Sequence, residues 1–164
     1  MKLKIIVVFL IVFALSATAS AQTKISGTLQ CGKADPVYTI QVGDRPDHAF
    51  TIFKFTCTWT KPTEIAGILH KNEEITAFGE VTGNRVRARS RNVDTLANGD
   101  KYYITTEASE TLKDGVVQTA EVAWTITGGT GKCKGIKGKG TTKGKGAADG
   151  TSTWDVEGEY ELPK

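Results

Sequence analysis

The chain has 164 residues, of which 39% are hydrophobic and 24% are charged, and its formal net charge is +3. Lys2 and Lys4 belong to an N-terminal segment that we expect to be removed, so the remainder carries 19 of the 21 basic residues against 18 acidic ones. This near balance does not favour nucleic acid as a partner, and two histidines with three cysteines that lack a C-x-x-C spacing predict no metal site.

The first 21 residues have the three-part layout of a secretory signal peptide. Two lysines precede an unbroken apolar run, Ile5–Leu15, and the small residues Ala19-Ser20-Ala21 fit an A-x-A cleavage site. The run has eleven residues, well short of the roughly 20 that span a membrane. The sequence therefore predicts cleavage near Ala21, a secreted or periplasmic protein without a membrane span, and one domain over residues 22–164, long enough to bury a core.

From residue 25 onward, apolar and polar residues alternate in short runs that turn residues interrupt, as in β-strands. Segments rich in Pro, Gly and Asp at 33–38 and 42–48 are predicted to be loops. The alternation predicts about eight strands, at 25–31, 50–59, 75–81, 86–93, 101–107, 116–127, 137–145 and 154–162. Strands of this number and spacing favour an all-β barrel or sandwich.

Four arginines at alternate positions from 85 to 91 place their side chains on one face of a predicted strand. A two-residue turn at Gly83-Asn84 would set Arg87 opposite Glu80 and Arg89 opposite Phe78. We interpret the arginines as a solvated outer face, and a polyanion-binding strip is the alternative.

The C-terminal residues predict a second hairpin whose register follows from its charges. Lysines alternate with glycines before residue 147, and acidic residues alternate with apolar or small ones after residue 154. A three-residue loop, Ala148–Gly150, sets the lysines opposite acidic residues, as in Lys143 with Asp155. On the other face Gly144 then lies opposite Trp154, which can cover it.

The segment GGTGK at residues 128–132 has the glycines and the lysine of a phosphate-binding loop but not the rest of the pattern. The pattern G-x-x-x-x-G-K-[ST] needs a glycine where this chain has Ile126 and a hydroxyl where it has Cys133. The glycine-rich residues that follow would not hold the helix that such a loop needs. The sequence therefore predicts no nucleotide and no other cofactor.

Three segments carry a family resemblance: WTITGGTGKCKGIKGKG at 124–140, NGDK at 98–101 and VEGEYEL at 156–162. They resemble the allene oxide cyclase and dirigent barrel superfamily, in particular its small exported bacterial members, although Cys133 stands where relatives often carry an aromatic or apolar side chain. The resemblance implies an eight-stranded antiparallel β-barrel with a lumen open at one end. Plant members bind an oxylipin or orient phenolic radicals and quinone methides, but none of their site residues carries over to this chain.

Three cysteines remain after the predicted cleavage, and an oxidising compartment would bridge two of them. Any pairing among the three is open to an exported chain. Cys31 and Cys57 both fall on the inward face of their predicted strands, so we predict a disulfide between them and a free thiol at Cys133.

Two groups of polar residues are candidate sites because of their residue types. Asp47 could orient His48 as a base, or Asp44 could join His48 at a metal, but we interpret this loop as a turn whose aspartates cap backbone amides. Glu107 and Glu121 could be lumen carboxylates with raised pKa values. Apolar residues occupy the opposite strand face from Glu121, so we expect these two to point outward.

The functional hypothesis depends on the residues that face the interior of the predicted barrel. Six aromatic residues are predicted to face a narrow apolar pocket at one barrel end: Phe53, Phe55, Trp59, Trp124, Trp154 and Tyr160, the last with its hydroxyl near the mouth. The favoured function is binding of a small apolar ligand without catalysis. The alternatives are a surface or envelope interaction through charged outer strands, which a filled lumen would favour, and a cyclase- or dirigent-like isomerase, which a buried lumen carboxylate would favour. A homo-oligomer stays open.

Overall fold

The computed structural model describes residues 22–61 and 63–163, so the predicted signal peptide and its cleavage site lie outside the described residues. Within these ranges the regular structure consists of ten strands and one short 3-10 helix, Gly131–Cys133. The strands are β1 (Thr23–Cys31), β2 (Val37–Gln41), β3 (His48–Trp59), β4 (Glu64–Ile65), β5 (Ile68–Thr82), β6 (Arg85–Leu96), β7 (Lys101–Lys113), β8 (Val116–Gly129), β9 (Lys137–Gly146) and β10 (Ser152–Glu161). No helix in the described part of the chain is long and apolar enough to cross a membrane.

Eight of the strands close into an antiparallel barrel, which confirms the predicted fold class. Their order around the barrel is β3, β1, β10, β9, β8, β7, β6 and β5, and the pairing of β3 with β5 closes the ring. The two remaining strands are additions: β2 pairs with β3 beyond the end of β1, and β4 forms a short hairpin with β5. Closure removes the unpaired edges that an open sheet would present.

The registers predicted for the two hairpins are correct. Arg87 lies opposite Glu80 in the β5–β6 hairpin, and Lys143 lies opposite Asp155 in the β9–β10 hairpin. Gly150 has a φ of 88°, the left-handed conformation that the three-residue loop requires. The turn length was therefore sufficient to define the first pairing, and the charge pattern with the turn length defined the second.

Ion pairs on the outer face join strands other than those of the predicted hairpins. Arg89 Nη2 lies 3.2 Å from Glu107 of β7, and Lys24 Nζ of β1 lies 3.3 Å from Glu159 of β10. The side chains of Arg89 and Glu107 are 76% and 73% exposed. Exposed pairs of this kind contribute about 0–1 kcal/mol, so they add little to stability.

Several strands differ from their predicted limits, most of all β2, β5, β6 and β7, and β7 runs to Lys113 rather than to residue 107. β2 lies partly within the predicted loop at 33–38, and all its side chains are exposed, so no burial pattern marks it. β5 begins at Ile68 rather than at residue 75, because an irregularity between His70 and Asn72 interrupts the alternation. β6 runs to Leu96 rather than to residue 93. These extensions carry polar residues into the lumen.

Inward glycines make room for tryptophans inside the barrel. A Cβ atom on Gly144 would lie 2.2 Å from the ring of Trp154, and one on Gly140 would lie 2.2 Å from the ring of Trp124. A larger residue at either position would collide with an indole. The rings can therefore lie against the β9 wall, which leaves space along the barrel axis.

Apolar side chains close one end of the barrel. Ile65, Leu96 and Ile136 are at most 1% exposed there. The β4 hairpin covers this end, and the backbone N–H of Ala66 donates a hydrogen bond to the Tyr160 hydroxyl at 3.4 Å. Any ligand would therefore enter the lumen from the other end.

The disulfide between Cys31 of β1 and Cys57 of β3 is formed as predicted, and Cys133 is a buried free thiol. The two bridged cysteines lie directly opposite each other in the β1–β3 pairing. That pairing joins only three residues of each strand. The bridge therefore fastens the shortest strand contact in the ring.

Candidate ligand-binding site

The barrel lumen contains an apolar cavity. Its volume is about 100 Å³, several times the roughly 10–15 Å³ that one water molecule needs. Phe53, Ala108 and Trp154 line it and are half-buried, whereas Asp94 and Tyr102 line it and are fully buried. The cavity therefore opens at the end that holds the β5–β6 and β7–β8 hairpins, and Asp94 lies at its floor.

Five of the six aromatic residues predicted to face the lumen line this cavity: Phe53, Phe55, Trp59, Trp124 and Trp154. The structure places Tyr160 elsewhere, because its hydroxyl meets the Ala66 backbone at the closed end and not at the mouth. The indole Nε1 of Trp124 is buried and has no hydrogen-bond partner among the described residues. That the aromatic residues hold a ligand stays a prediction.

A row of four inward side chains crosses the floor of the cavity. Cys57, Glu73, Asp94 and Tyr102 are paired in turn across β3, β5, β6 and β7. Glu73 is 4% exposed and Asp94 is 0% exposed. Cβ atoms of directly opposite residues lie about 4.5–5.5 Å apart. The two carboxyl groups therefore share one small, dry region.

Burial disfavours ionisation of both carboxyl groups. It raises the pKa of Glu73 from 4.5 to about 7, although a hydrogen bond from Asn92 Nδ2 at 2.5 Å favours the carboxylate. Burial first, and the charge of Glu73 second, raise the pKa of Asp94 well above its usual range. At neutral pH the pair therefore carries at most about one negative charge.

Asp94 has one oxygen engaged and one without a partner. Oδ1 accepts a long hydrogen bond from Trp59 Nε1 at 3.4 Å. Oδ2 is buried and meets no hydrogen-bond partner in the part of the chain that the structure describes. A buried polar atom left in this state costs about 1–3 kcal/mol, which a ligand group in the cavity would offset.

A hydrogen bond between His70 and Tyr102, next to Glu73 and Asp94, defines where the protons of both side chains lie. His70 Nδ1 lies 2.9 Å from the Thr63 carbonyl, which can only accept, so Nδ1 carries a proton. Burial lowers the pKa of His70 to about 4, so the ring is neutral at pH 7 and Nε2 accepts from the Tyr102 hydroxyl at 2.6 Å. The Tyr102 oxygen then offers only lone pairs to Asp94, which it also meets. A protonated Asp94 is the complementary partner.

Glu73 and Asp94 were not identified from the sequence. One predicted strand began at residue 75 and another ended at 93, so both carboxyl groups fell just outside. The inward parity of Ile75 reaches back to Glu73, and that of Val86 continues to Asp94. The signal was therefore present, but acidic residues are rarely found buried at a strand end.

The polar residues singled out from the sequence lie outside the lumen. His48 is held between two carboxylates, with Asp44 Oδ1 2.5 Å from Nδ1 and Glu80 Oε1 3.0 Å from Nε2. The hydrogen bond to Asp44 raises the pKa of His48. Because Asp44 lies in the β2–β3 loop and Glu80 lies in β5, the two contacts join that loop to β5. Glu107 and Glu121 are exposed on the outer face. No group of His, Cys, Asp and Glu within residues 22–61 and 63–163 could hold a metal ion.

No family model matches this sequence, and no curated protein matches it. Solved structures match its fold. The pterocarpan synthase dirigent protein PsPTS1 has a TM-score of 0.51 at 11% identity, covering 88% of this chain and 97% of its own. The related dirigent protein GePTS1 has a TM-score of 0.50 at 13% identity, covering 87% and 89%. A pyocyanin demethylase has a TM-score of 0.45 at 19% identity, covering 82% and 99%. The chain thus shares the barrel fold of the two dirigent proteins.

Proposed function

We propose that the barrel binds one small, mostly apolar molecule in its lumen. The observation that carries this proposal is a cavity open at one end, lined by aromatic rings, with a buried carboxyl oxygen of Asp94 left without a partner at its floor. Small-molecule sites usually combine an apolar pocket with a few convergent polar groups. The cavity of this barrel has that composition.

The polar atoms of the cavity would orient the ligand. Asp94 Oδ2 and Trp124 Nε1 are buried without partners among the described residues, and both side chains line the cavity. A ligand that contacts them would recover hydrogen bonds that the empty lumen lacks. Its remaining surface would lie among aromatic rings, where burial stabilises by about 25 cal/mol per Å² of apolar area.

Tryptophan fluorescence during ligand titration tests the proposal, because three tryptophans line the cavity: Trp59, Trp124 and Trp154. The panel should contain fatty acids, oxylipins, phenolics and aromatic amines. We expect saturable micromolar binding of one class. If no class binds, the proposal is wrong, and the surface-interaction alternative takes its place.

A matched pair of variants locates the binding. Ala108 lines the cavity, and Ala123 is exposed on the outer face of the neighbouring strand. Ala108→Leu adds volume inside the lumen and should abolish binding, whereas Ala123→Leu makes the same change outside and should leave it intact. Equal effects of the two variants would place the ligand outside the barrel.

An isomerase- or cyclase-like activity is a second candidate, and one observation favours it. Glu73 borders the cavity with a pKa of about 7, so it can give and take a proton near neutral pH. Mass spectrometry of bound ligands after incubation would detect conversion, which Glu73→Gln should abolish while binding remains. A ligand that the unmodified protein binds without conversion would leave only the binding function.

We also propose that the chain is an exported member of the allene oxide cyclase and dirigent barrel superfamily, cleaved after Ala21. The Cys31–Cys57 disulfide supports export, because such bonds persist in oxidising compartments. Intact-mass analysis of secreted material should give a chain that begins at Gln22, and a mature species that retains Ile5–Leu15 would contradict this. Native mass spectrometry of the same material would reveal a carried ligand and any homo-oligomer.

A further inference from the structure

The charged groups inside the barrel are acidic. The cavity is lined by three residues with carboxyl groups, Glu73, Asp94 and Glu110. Arg89 also borders it, but its side chain is 76% exposed and pairs outside the barrel with Glu107 at 3.2 Å. Among the described residues, no other lysine or arginine borders the cavity. The lumen therefore contains acids without a basic side chain to balance them.

The two acids at the floor are incompletely satisfied. Buried carboxyl groups in proteins are normally protonated, fully hydrogen-bonded or paired with a cation. Asn92 donates to Glu73, whereas Asp94 has the long contact from Trp59 and the neighbouring Tyr102 hydroxyl, and its Oδ2 has no partner in the described ranges. The ion pairs found in those ranges all lie outside the lumen. A positively charged ligand group would complete this floor.

The aromatic walls above the floor favour an organic cation over a compact ion. The faces of indole and phenyl rings attract cations, and indole does so most strongly. A cation whose charge is spread over an apolar framework gives up little hydration when it enters such a lumen. A metal ion or a small ammonium ion would lose much more, and the apolar walls would not replace that hydration.

We propose that the ligand of this lumen is an organic cation or weak base, such as a flat amine or nitrogen heterocycle. Its charged nitrogen would lie at Glu73 and Asp94, and its rings would lie among the tryptophans. A further group that accepts a hydrogen bond would satisfy Trp124 Nε1. Glu110, half-buried nearer the mouth, would attract the same charge during entry. This inference rests on the proposed lumen binding and adds the sign of the ligand charge.

Two ligands of the same shape that differ in charge test the inference. N-methylquinolinium is a permanent flat cation, and 1-methylnaphthalene has carbon in place of the charged nitrogen. In calorimetric titrations of the oxidised protein at pH 8, we expect the cation to bind at least about 10-fold more tightly. Glu73→Gln should remove most of this preference, and Asp94→Asn, which replaces the protonated member of the pair, should remove less of it. Glu107→Gln, the same change on the outer face, should preserve it.

The outcomes separate this inference from the proposed function. If the two ligands bind equally well, or the neutral one binds more tightly, the lumen binds ligands but does not select cations. If neither binds while another class in the fluorescence panel does, the cation inference is again wrong and lumen binding stands. If nothing binds, both are wrong.

Cation binding that survives both lumen substitutions would place the ligand on the outer surface and overturn the inference. Circular dichroism checks that each variant folds. If Asp94→Asn does not fold, the ligand pair on the unmodified protein and on Glu73→Gln still decides the question.

Discussion

Replacement of Glu73 by glutamine should stabilise the protein, and the gain should grow as the pH rises. Burial raises the folded-state pKa of Glu73 from 4.5 to about 7, whereas the unfolded chain releases the proton near the ordinary pKa. Because the folded state has the higher pKa, the stability that Glu73 contributes is complete below about pH 4.5 and is lost as the pH rises to about 7. Each pKa unit corresponds to about 1.4 kcal/mol, so the loss approaches about 3 kcal/mol above pH 7.

Urea unfolding between pH 4 and pH 8, followed by tryptophan fluorescence with the disulfide intact, measures this gain. Glutamine can still accept the hydrogen bond from Asn92, so the two proteins should be equally stable at pH 4. At pH 8 we expect Glu73→Gln to be more stable by about 3 kcal/mol. Tyr102 and His70 face the same region and are present in both proteins, so their titrations largely cancel in the difference. The pKa of Asp94 falls when the charge of Glu73 is removed, but burial is the larger cause of its raised pKa and keeps Asp94 protonated in the variant.

An exposed carboxyl group supplies the control. The side chain of Glu107 is 73% exposed, so Glu107→Gln should show no comparable pH-dependent gain. A constant difference between the unmodified protein and Glu73→Gln across the pH range would mean that Glu73 titrates as an exposed group. Greater stability of the unmodified protein at pH 8 would mean that its carboxylate is well paired. Either result would refute the inference that Glu73 lies in a water-free region without a positive charge to neutralise it.

Two further substitutions test the packing and the bridge. Gly144→Ala would place a Cβ atom 2.2 Å from the Trp154 ring and should destabilise the protein by about 1–3 kcal/mol in thermal unfolding. Gly32→Ala, where the nearest atom beyond its chain neighbours is a backbone oxygen at 3.7 Å, should be neutral or slightly stabilising, and equal effects of the two changes would mean that the ring lies elsewhere. Cys57→Ser should cost about 3–4 kcal/mol in oxidising buffer, because the bridge to Cys31 spans a sequence separation of 26. If Cys57→Ser is less stable than the unmodified protein by the same amount after the disulfide of the unmodified protein is reduced, the loss of stability comes from packing at Cys57 and not from the bridge.

The strands and both hairpin registers could be predicted because they depend on residues that are close in sequence. Alternation assigns each side chain to a face, and the turn length sets which residues lie opposite each other. The same parity led to the Cys31–Cys57 bridge, since both cysteines share the inward face. β2 could not be predicted in this way, because its side chains are all exposed and its position depends on the free edge of β3.

The candidate site was predicted only in part. Parity placed five aromatic residues along the cavity, because direction along a strand is a local property. Tyr160 has the correct parity but lies at the closed end, since its position along the axis depends on the β4 hairpin that covers it. Parity predicts whether a side chain points into or out of the barrel, but it does not predict which other element covers that side chain.

By itself, the sequence determined which face of the main barrel strands is inward and the registers of two hairpins, and it favoured the pair of cysteines that form the bridge. The predicted β5–β6 register already sets Glu73 opposite Asp94, but only the tertiary structure decided that Cys57 and Tyr102 complete the row, because β3 pairs with β5 when the barrel closes and the β6–β7 register was not predicted. Closure also removes water from the floor, and desolvation is the largest cause of the raised pKa values of both acids. An isolated strand would leave the same carboxyl groups solvated and ionised, so the chemistry of the site arises from assembly of the whole sheet.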